Sequence, residues 1–372
     1  MRLAHIGRAV VACLSGALLS ASASTAAAQA SPPTTKPAKP PREPKAGKTP
    51  VDSLVKFFRS EIPVNVTLTT NIRQLRADKD TNPPWRAATF THTATGAAPV
   101  TIPVRVRTRG IWRLKTCEYP PLRLNFTSEA VKHTEFRGLD RPKLVNYCRN
   151  DDSYEQYLMQ EFQLYRVYRL LTPLSHAVRL LRITYADSAT GKPEATRYGF
   201  IEEDPDGLAA RVGGRMLKLK GAGVTDLEPY QSALVGLFQY MIGNTDFALS
   251  ALHNAELLAT KTGEYVPIVY DFDFSGAVNA RYATVDARLP IHSVRSRLYR
   301  GYCVPADAYP KVFAQFNAKK DSIYALYRDP LGKLLAPGIA DETLKYFDEF
   351  YKTINDPRAA KQQIMEACLG KR

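Results

Sequence analysis

The chain has 372 residues, with 51 Lys and Arg against 36 Asp and Glu, a formal net charge of +15. Its 45% hydrophobic and 23% charged residues are an ordinary globular composition, which excludes a disordered, collagenous or multi-span membrane protein. The basic residues form no Arg-rich run with interleaved aromatics, so nucleic acid is not an expected partner.

Residues 1–30 read as a secretory signal. Met1, Arg2 and Arg8 make a basic start, Ala9 to Leu19 a short apolar stretch, and Ala28-Gln29-Ala30 a small-x-small cleavage site. The apolar stretch is too short for a membrane span, and no later window approaches one. The expected destination is therefore the periplasm, the cell surface or the medium, with no transmembrane span after cleavage. Residues 31–52 are rich in Pro and Lys, with Glu43 as the lone acid before Val51, and read as an extended, disordered linker. Cys13 leaves with the signal, and Cys117, Cys148, Cys303 and Cys368 remain for an oxidising compartment. Three pairings are possible; Cys117–Cys148 with Cys303–Cys368 is favoured because each closes a loop within one region of the chain.

Val64 to Thr69, Ala88 to Thr93, Val100 to Thr108 and Leu122 to Phe126 carry strand patterning, so the opening half reads as an antiparallel meander. Ser153 and Gln156 fit a capping box, and Leu158, Phe162 and Tyr165 continue at helical spacing to Leu171, where Pro173 stops the helix. Val178 to Tyr185 and Thr196 to Ile201 are strands around Gly191-Lys192-Pro193. A helix over Tyr230 to Met241 leads to a hairpin of Ala255 to Leu258 and Tyr265 to Tyr270 about Gly263. Helices are predicted over Tyr309 to Tyr327, Ala340 to Ile354 and Pro357 to Leu369. The predicted organisation is one domain over 53–304, with a helical extension, 305–372, packed on it.

Two acidic loops bracket the hairpin. Asp246 follows a helix, His253-Asn254 opens one strand and Asp271 ends the next, so a short hairpin brings Asn254 and Asp271 to a common point. Phosphoryl transfer needs such a grouping. A divalent ion bridging phosphates takes hard oxygen ligands, here Asn254 and Asp271, while a separate carboxylate, Asp246, serves as base toward the accepting hydroxyl. His133, His176 and His292 lack metal spacing. Gly213-Gly214 and Gly221-x-Gly223 lack the context of a dinucleotide fingerprint, and no G-x-S-x-G occurs.

The stretch Asn244-Thr245-Asp246, His253-Asn254 and Tyr270-Asp271-Phe272-Asp273 resembles the CotH-type spore-coat kinase family, and Asn244-Thr245-Asp246 is similar to the Asn-Thr-Asp of HipA-type kinases. Upstream, Val104 to Gly110 looks like the family's Arg-Gly strand and loop, and Leu122 to Phe126 like its basic strand. Tyr198 to Glu203 resembles its Gly-x-Tyr-x-x-x-Glu segment, and Met216-Leu217-Lys218 its Leu-Tyr-Lys. The resemblance covers about Val100 to Gly276. It implies an α+β, atypical protein-kinase-like two-lobed fold, with the meander and the Ser153 helix covering the nucleotide and a helical C-terminal region. It also implies ATP or another nucleoside triphosphate with Mg²⁺ or Mn²⁺, and an envelope protein, an envelope polymer or the chain itself as acceptor. Asp246 would be the base and Asn254, Asp271 and Asp273 the metal ligands. Lys115 or Arg123 would reach the phosphates, Glu161 would be the cation's partner acid, and Glu202 would belong to the nucleotide site. The departures are Tyr270 for the usual Trp, Ile111-Trp112-Arg113 for a small polar run, and Cys117 to Pro121 for a Lys-rich approach. They leave a second expectation, a non-catalytic envelope-binding module, and a third, metal-assisted hydrolysis at the same carboxylates.

Overall fold

A computed structural model describes residues 54–93 and 98–370, so the expected signal (1–30) and linker (31–52) lie outside the described residues. Seven strands are Val64–Thr70 (β1), Arg86–His92 (β2), Val100–Thr108 (β3), Leu122–Phe126 (β4), Lys143–Asn146 (β5), Val178–Asp187 (β6) and Pro193–Glu202 (β7). They close into a barrel in the order β1-β2-β3-β4-β5-β7-β6. Neighbours are antiparallel except at the seam, where β1 runs parallel to β6 with Val64 opposite Leu181. This overturns the expected protein-kinase-like two-lobed fold. β1 is paired on both sides, to β2 and to β6, so the strands are one closed mixed barrel with helices against it rather than an open meander over a second lobe.

Alternation explains the barrel locally. β1 buries every second residue, as do the regular parts of β3 and β4, because successive side chains point to opposite faces. Leu68, Phe90, Val106, Leu124, Phe126, Ile183 and Ile201 fill the interior. Phe90 sets its ring edge against Phe126 and Phe136 at 5.6 and 5.2 Å, and truncating such a ring to Ala costs about 3–5 kcal/mol. Three short helices decorate the barrel: Ile72–Ala77 (α1), Trp112–Thr116 (α2) and Ser128–Val131 (α3).

The long helix spans Asp152–Leu171 (α4). Its cap is Asp151, whose carboxylate accepts from the Ser153 N–H at 2.8 Å, two residues before the Ser153 of the expected capping box. An acid there satisfies an orphan donor and faces the positive end of the helix. α4 is buried on nearly every face, because it lies between β5, β6 and β7 on one side and Ala308–Leu326 (α7) on the other. Two further helices follow the barrel, Pro205–Val212 (α5) and Pro229–Ile242 (α6), and a three-stranded sheet is ordered β10-β9-β8 from Arg215–Leu217 (β8), Ala255–Ala259 (β9) and Tyr265–Val269 (β10). Phe238 of α6, Tyr168 of α4, Phe316 of α7 and Phe350 of Ile339–Asn355 (α8) share the largest core.

Two disulfides join Cys117 to Cys148 and Cys303 to Cys368. The tail departs from the single helix predicted over Pro357 to Leu369. Pro357–Ala360 (α9) passes into one wide turn at Lys361–Met365, after which the Leu369 carbonyl accepts from the Cys303 N–H at 2.9 Å. The disulfide and this bridge turn the chain end back toward Tyr302. Among the described residues no helix is long and apolar enough to cross a membrane.

Candidate functional site

A cavity of about 380 Å³ opens where β5, β7 and α4 face the β9–β10 hairpin and the loop after α6. α6 stops at Gly243, whose φ of 66° is a left-handed C-cap. Just beyond, Asn244 Oδ1 accepts from the Asp246 N–H at 3.0 Å and fixes the turn. The Asp246 carboxylate lies 2.9 Å from His253 Nε2 and accepts from Asn254 Nδ2 at 3.0 Å; the same Nδ2 donates to the Asp246 carbonyl at 2.8 Å. Asp246 and His253 stay well exposed at the rim.

The backbone here is strained. Of the four non-glycine residues with positive φ among the described residues, three line this cavity: Leu252 (52°), Asn254 (47°) and Asp271 (63°). Asn and Asp tolerate the left-handed region, whereas Leu252 is held there at a cost of about 1–3 kcal/mol. The hold on Asp271 is visible: its N–H donates to the Tyr165 hydroxyl of α4 at 2.9 Å, while the Tyr270 N–H donates to the Asn254 carbonyl at 3.2 Å.

Three carboxylates converge. Glu161, Asp271 and Asp273 each offer an oxygen within 4.8 Å of the others, and Glu161 and Asp273 are only 1% and 3% exposed. The Tyr282 hydroxyl donates to Asp273 Oδ2 at 3.0 Å, and Arg113 Nε lies 3.8 Å from the same oxygen. Burial, then the neighbouring Asp273 and Asp271, raise the Glu161 carboxyl well above its ordinary range, only partly offset by Arg113. Burial and Asp271 push Asp273 up to about 7. For Arg113, burial alone would lower the guanidinium, but Asp273, Tyr282, Glu161 and Asp271 outweigh it and raise it. Glu161 Oε2 has no hydrogen-bond partner although it is buried, and a buried orphan carboxylate oxygen is expensive unless it serves a ligand. The donor set of hard oxygens fits Mg²⁺, Mn²⁺ or Ca²⁺.

Cations line the cavity as well. Lys143 and Glu202 are direct partners in the β5–β7 ladder, and Lys143 Nζ donates to Glu202 Oε1 at 2.6 Å. Burial would raise Glu202, but Lys143, His176 and Arg109 together lower it. Lys143 also stands 4.5 Å over the Tyr270 ring. Arg109 reaches the cavity, its Nε donating to the Leu122 carbonyl at 3.3 Å. At the mouth, half-exposed Trp112 meets Phe274 and Tyr282 at 5.5 and 5.4 Å between centroids.

Of the residues singled out from sequence, Glu161, Glu202, Asp246, Asn254, Asp271 and Asp273 all line this cavity. Lys115 is exposed on α2 and lines no part of it. Arg123, on β4, is the cross-strand neighbour of Lys143 and lines a separate cavity with Arg141 and Asp204. Glu161, expected to pair with a cation from the basic strand, instead gathers with Asp271 and Asp273, and the buried cation–acid pair is Lys143–Glu202. Lys143, Arg113, Tyr165 and Tyr282 were not singled out. Lys143 left one sign, a four-residue strand opening directly after Pro142; Arg113 left none, because its role depends on where α2 lands. Compared with known proteins, the chain matches no family model and no curated protein, so the likeness to CotH-type kinases rests on the sequence motifs.

Proposed function

We propose that the protein is an exported, metal-dependent phosphotransferase that passes the γ-phosphoryl group of a nucleoside triphosphate to a hydroxyl of an envelope protein, an envelope polymer or itself. The observation that carries this reading is the division of labour within one cavity. Three converging carboxylates, one with an orphan buried oxygen, share the cavity with Lys143 and Arg109, while another carboxylate, Asp246, stands apart at the rim.

Asp271, Asp273 and Glu161 would hold Mg²⁺ or Mn²⁺, with the free Asn254 Oδ1 as a further oxygen donor. When bound, the ion supplies charge neutralisation for the phosphates and the leaving oxygen. Lys143, held by Glu202 and the Tyr270 ring, presents a positioned ammonium, and Arg109 adds a guanidinium suited to phosphate oxygens. Asp246 Oδ1 and Oδ2, oriented by His253 and Asn254, would accept the proton of the attacking hydroxyl. The left-handed backbones of Asn254 and Asp271 and the Tyr165 contact hold these groups in place before substrate arrives. Two disulfides and the absence of a membrane-spanning helix among the described residues fit an exported protein.

The test is autoradiography of the purified chain with γ-labelled ATP and Mn²⁺, beside Asp271→Ala. Label on the wild type alone supports transfer; equal label on both refutes the assignment of Asp271. One observation favours a second reading, a non-catalytic envelope module: Arg113 already lies among the three acids, opposite Asp273. That module would show no nucleotide-dependent rise in melting temperature, whereas a ligand at 100 times its Kd adds about 2.7 kcal/mol of stability.

A further inference from the structure

The sheet register extends a basic strand into a basic surface. β3 turns Arg105 and Arg107 outward between buried Val104, Val106 and Thr108, and Arg109 follows two residues on, at the cavity. Alternate residues on a strand recur about every 6.6–6.8 Å, so Arg105 and Arg107 share one face of β3, and Arg109, one residue past its end, continues this basic ladder toward the cavity. A second row crosses the strands: Arg107 is paired with Arg123 and Arg123 with Lys143, at steps of about 4.8 Å.

Like charges directly opposite on a sheet destabilise it, and of this group Lys143 alone has a direct ion-pair partner among the described residues, Glu202. Among the described residues Arg105, Arg107, Arg109 and Arg123 have no carboxylate within 4.0 Å. Burial, then Arg109 and Arg107, lower the Arg123 guanidinium despite Asp204 and Glu202. Trp85 supports the ladder, with Arg107 at 4.6 Å and Arg105 at 5.8 Å from its ring centroid. β3 and β4 are paired on both edges, so a partner meets this face through side chains and not by adding a strand.

We propose that the outer face of β3 and β4 is a docking track for an extended, acidic polypeptide segment, which leads a hydroxyl-bearing residue into the cavity. Carboxylates on alternate residues of an extended chain share the spacing of Arg105, Arg107 and Arg109, and guanidinium forks take carboxylates in bidentate fashion. The direction of the track rests on the phosphoryl-transfer reading; the binding does not.

The test is fluorescence anisotropy of the purified chain with a labelled alternating Glu-Ser peptide, and with a Gln-Ser peptide as control. The acidic peptide should bind, weaken as salt rises, and lose about ten-fold or more in affinity for an Arg105→Glu/Arg107→Glu variant. The milder Arg107→Gln, with an unchanged melting temperature, should show a smaller loss in the same direction. Asp271→Ala should bind the peptide like the wild type. Equal binding of the Gln-Ser peptide, or wild-type affinity in both Arg variants, would overturn the proposal. So would inorganic polyphosphate displacing the peptide at lower charge concentration than the peptide itself, which would name an anionic polymer as occupant. Peptide binding without label on any acceptor sinks the transfer reading alone, and label on the chain without peptide binding sinks the track alone.

Discussion

Replacing Asp273 with Asn should stabilise the metal-free protein at neutral and higher pH while leaving it unable to gain stability from a divalent ion. Glu161, Asp271 and Asp273 place carboxylate oxygens within 4.8 Å of one another against one guanidinium, Arg113. At an effective dielectric of about 20, two unit charges at that distance repel by about 3 kcal/mol. Burial, then the Asp271 charge, raises Asp273 from an ordinary 3.8 to about 7, which corresponds to about 4 kcal/mol. The sign follows from the direction of the shift. A carboxyl raised in the folded state prefers its proton there, so stability is full below about pH 4 and is lost as pH rises through about 7. Asn keeps an oxygen for the Tyr282 hydroxyl and removes one negative charge, while Glu161 and Asp271 remain for Arg113. Urea unfolding in EDTA between pH 4 and 8 measures this directly. The wild type minus variant difference, which cancels groups common to both, should fall by about 3–4 kcal/mol across that range. Added Mn²⁺ should restore the wild type at pH 8 and not Asp273→Asn. A flat difference curve, or a variant less stable than wild type at pH 8 without metal, would refute the reasoning.

Lys143→Met should destabilise the fold by about 3–5 kcal/mol, because it strands Glu202, which is 2% exposed, without its cation. The double variant with Glu202→Gln should recover most of that stability in denaturant melts yet still fail to bind nucleotide in calorimetry. Asp246→Asn should leave nucleotide affinity unchanged and lower transfer about 10²–10⁴-fold in a labelling time course; equal losses in affinity and rate would remove its role as base. Cys117→Ser/Cys148→Ser should cost about 3–4 kcal/mol of stability. Because that disulfide packs beside Tyr154 and Tyr282, the latter bonded to Asp273, the variant should also weaken Mn²⁺ binding.

Much of the local structure was legible. The alternation of Val64 to Thr69, the periodicity to Leu171, the hairpin about Gly263 and both cysteine pairs appear where short-range pattern and loop closure put them. So does the approach of Asp246, Asn254 and Asp271 to one cavity, since a short hairpin leaves its ends little freedom. What escaped depends on long-range register. The pairing of Val64 with Leu181 leaves no mark in either segment, and without it the strands read as an open meander. The cation was sought on β4 at Arg123, one strand short of Lys143, because both strands carry a basic residue at the same row and only the β5–β7 pairing sets one of them against Glu202. Glu161 reads as an ordinary helical acid until α4 is seen buried on nearly all sides. The basic row of Arg107, Arg123 and Lys143 escaped for the same reason: it crosses strands, whereas Arg105 and Arg107 alternate openly along β3.

The parallel seam between β1 and β6 also sets the order of events in folding. No fragment that stops short of Glu202 can complete the sheet, because the outer edge of β1 pairs only with β6, and β6 joins β5 only through β7. Contacts so distant in sequence form slowly. A chain emerging from its N-terminus therefore holds the first five strands with an edge unpaired until α4 and β6 have followed. An open edge invites pairing with other chains, so the nascent protein needs protection during that interval. When β6 has paired with β1 the ring is still open, and only β7, entering between β5 and β6, closes the barrel.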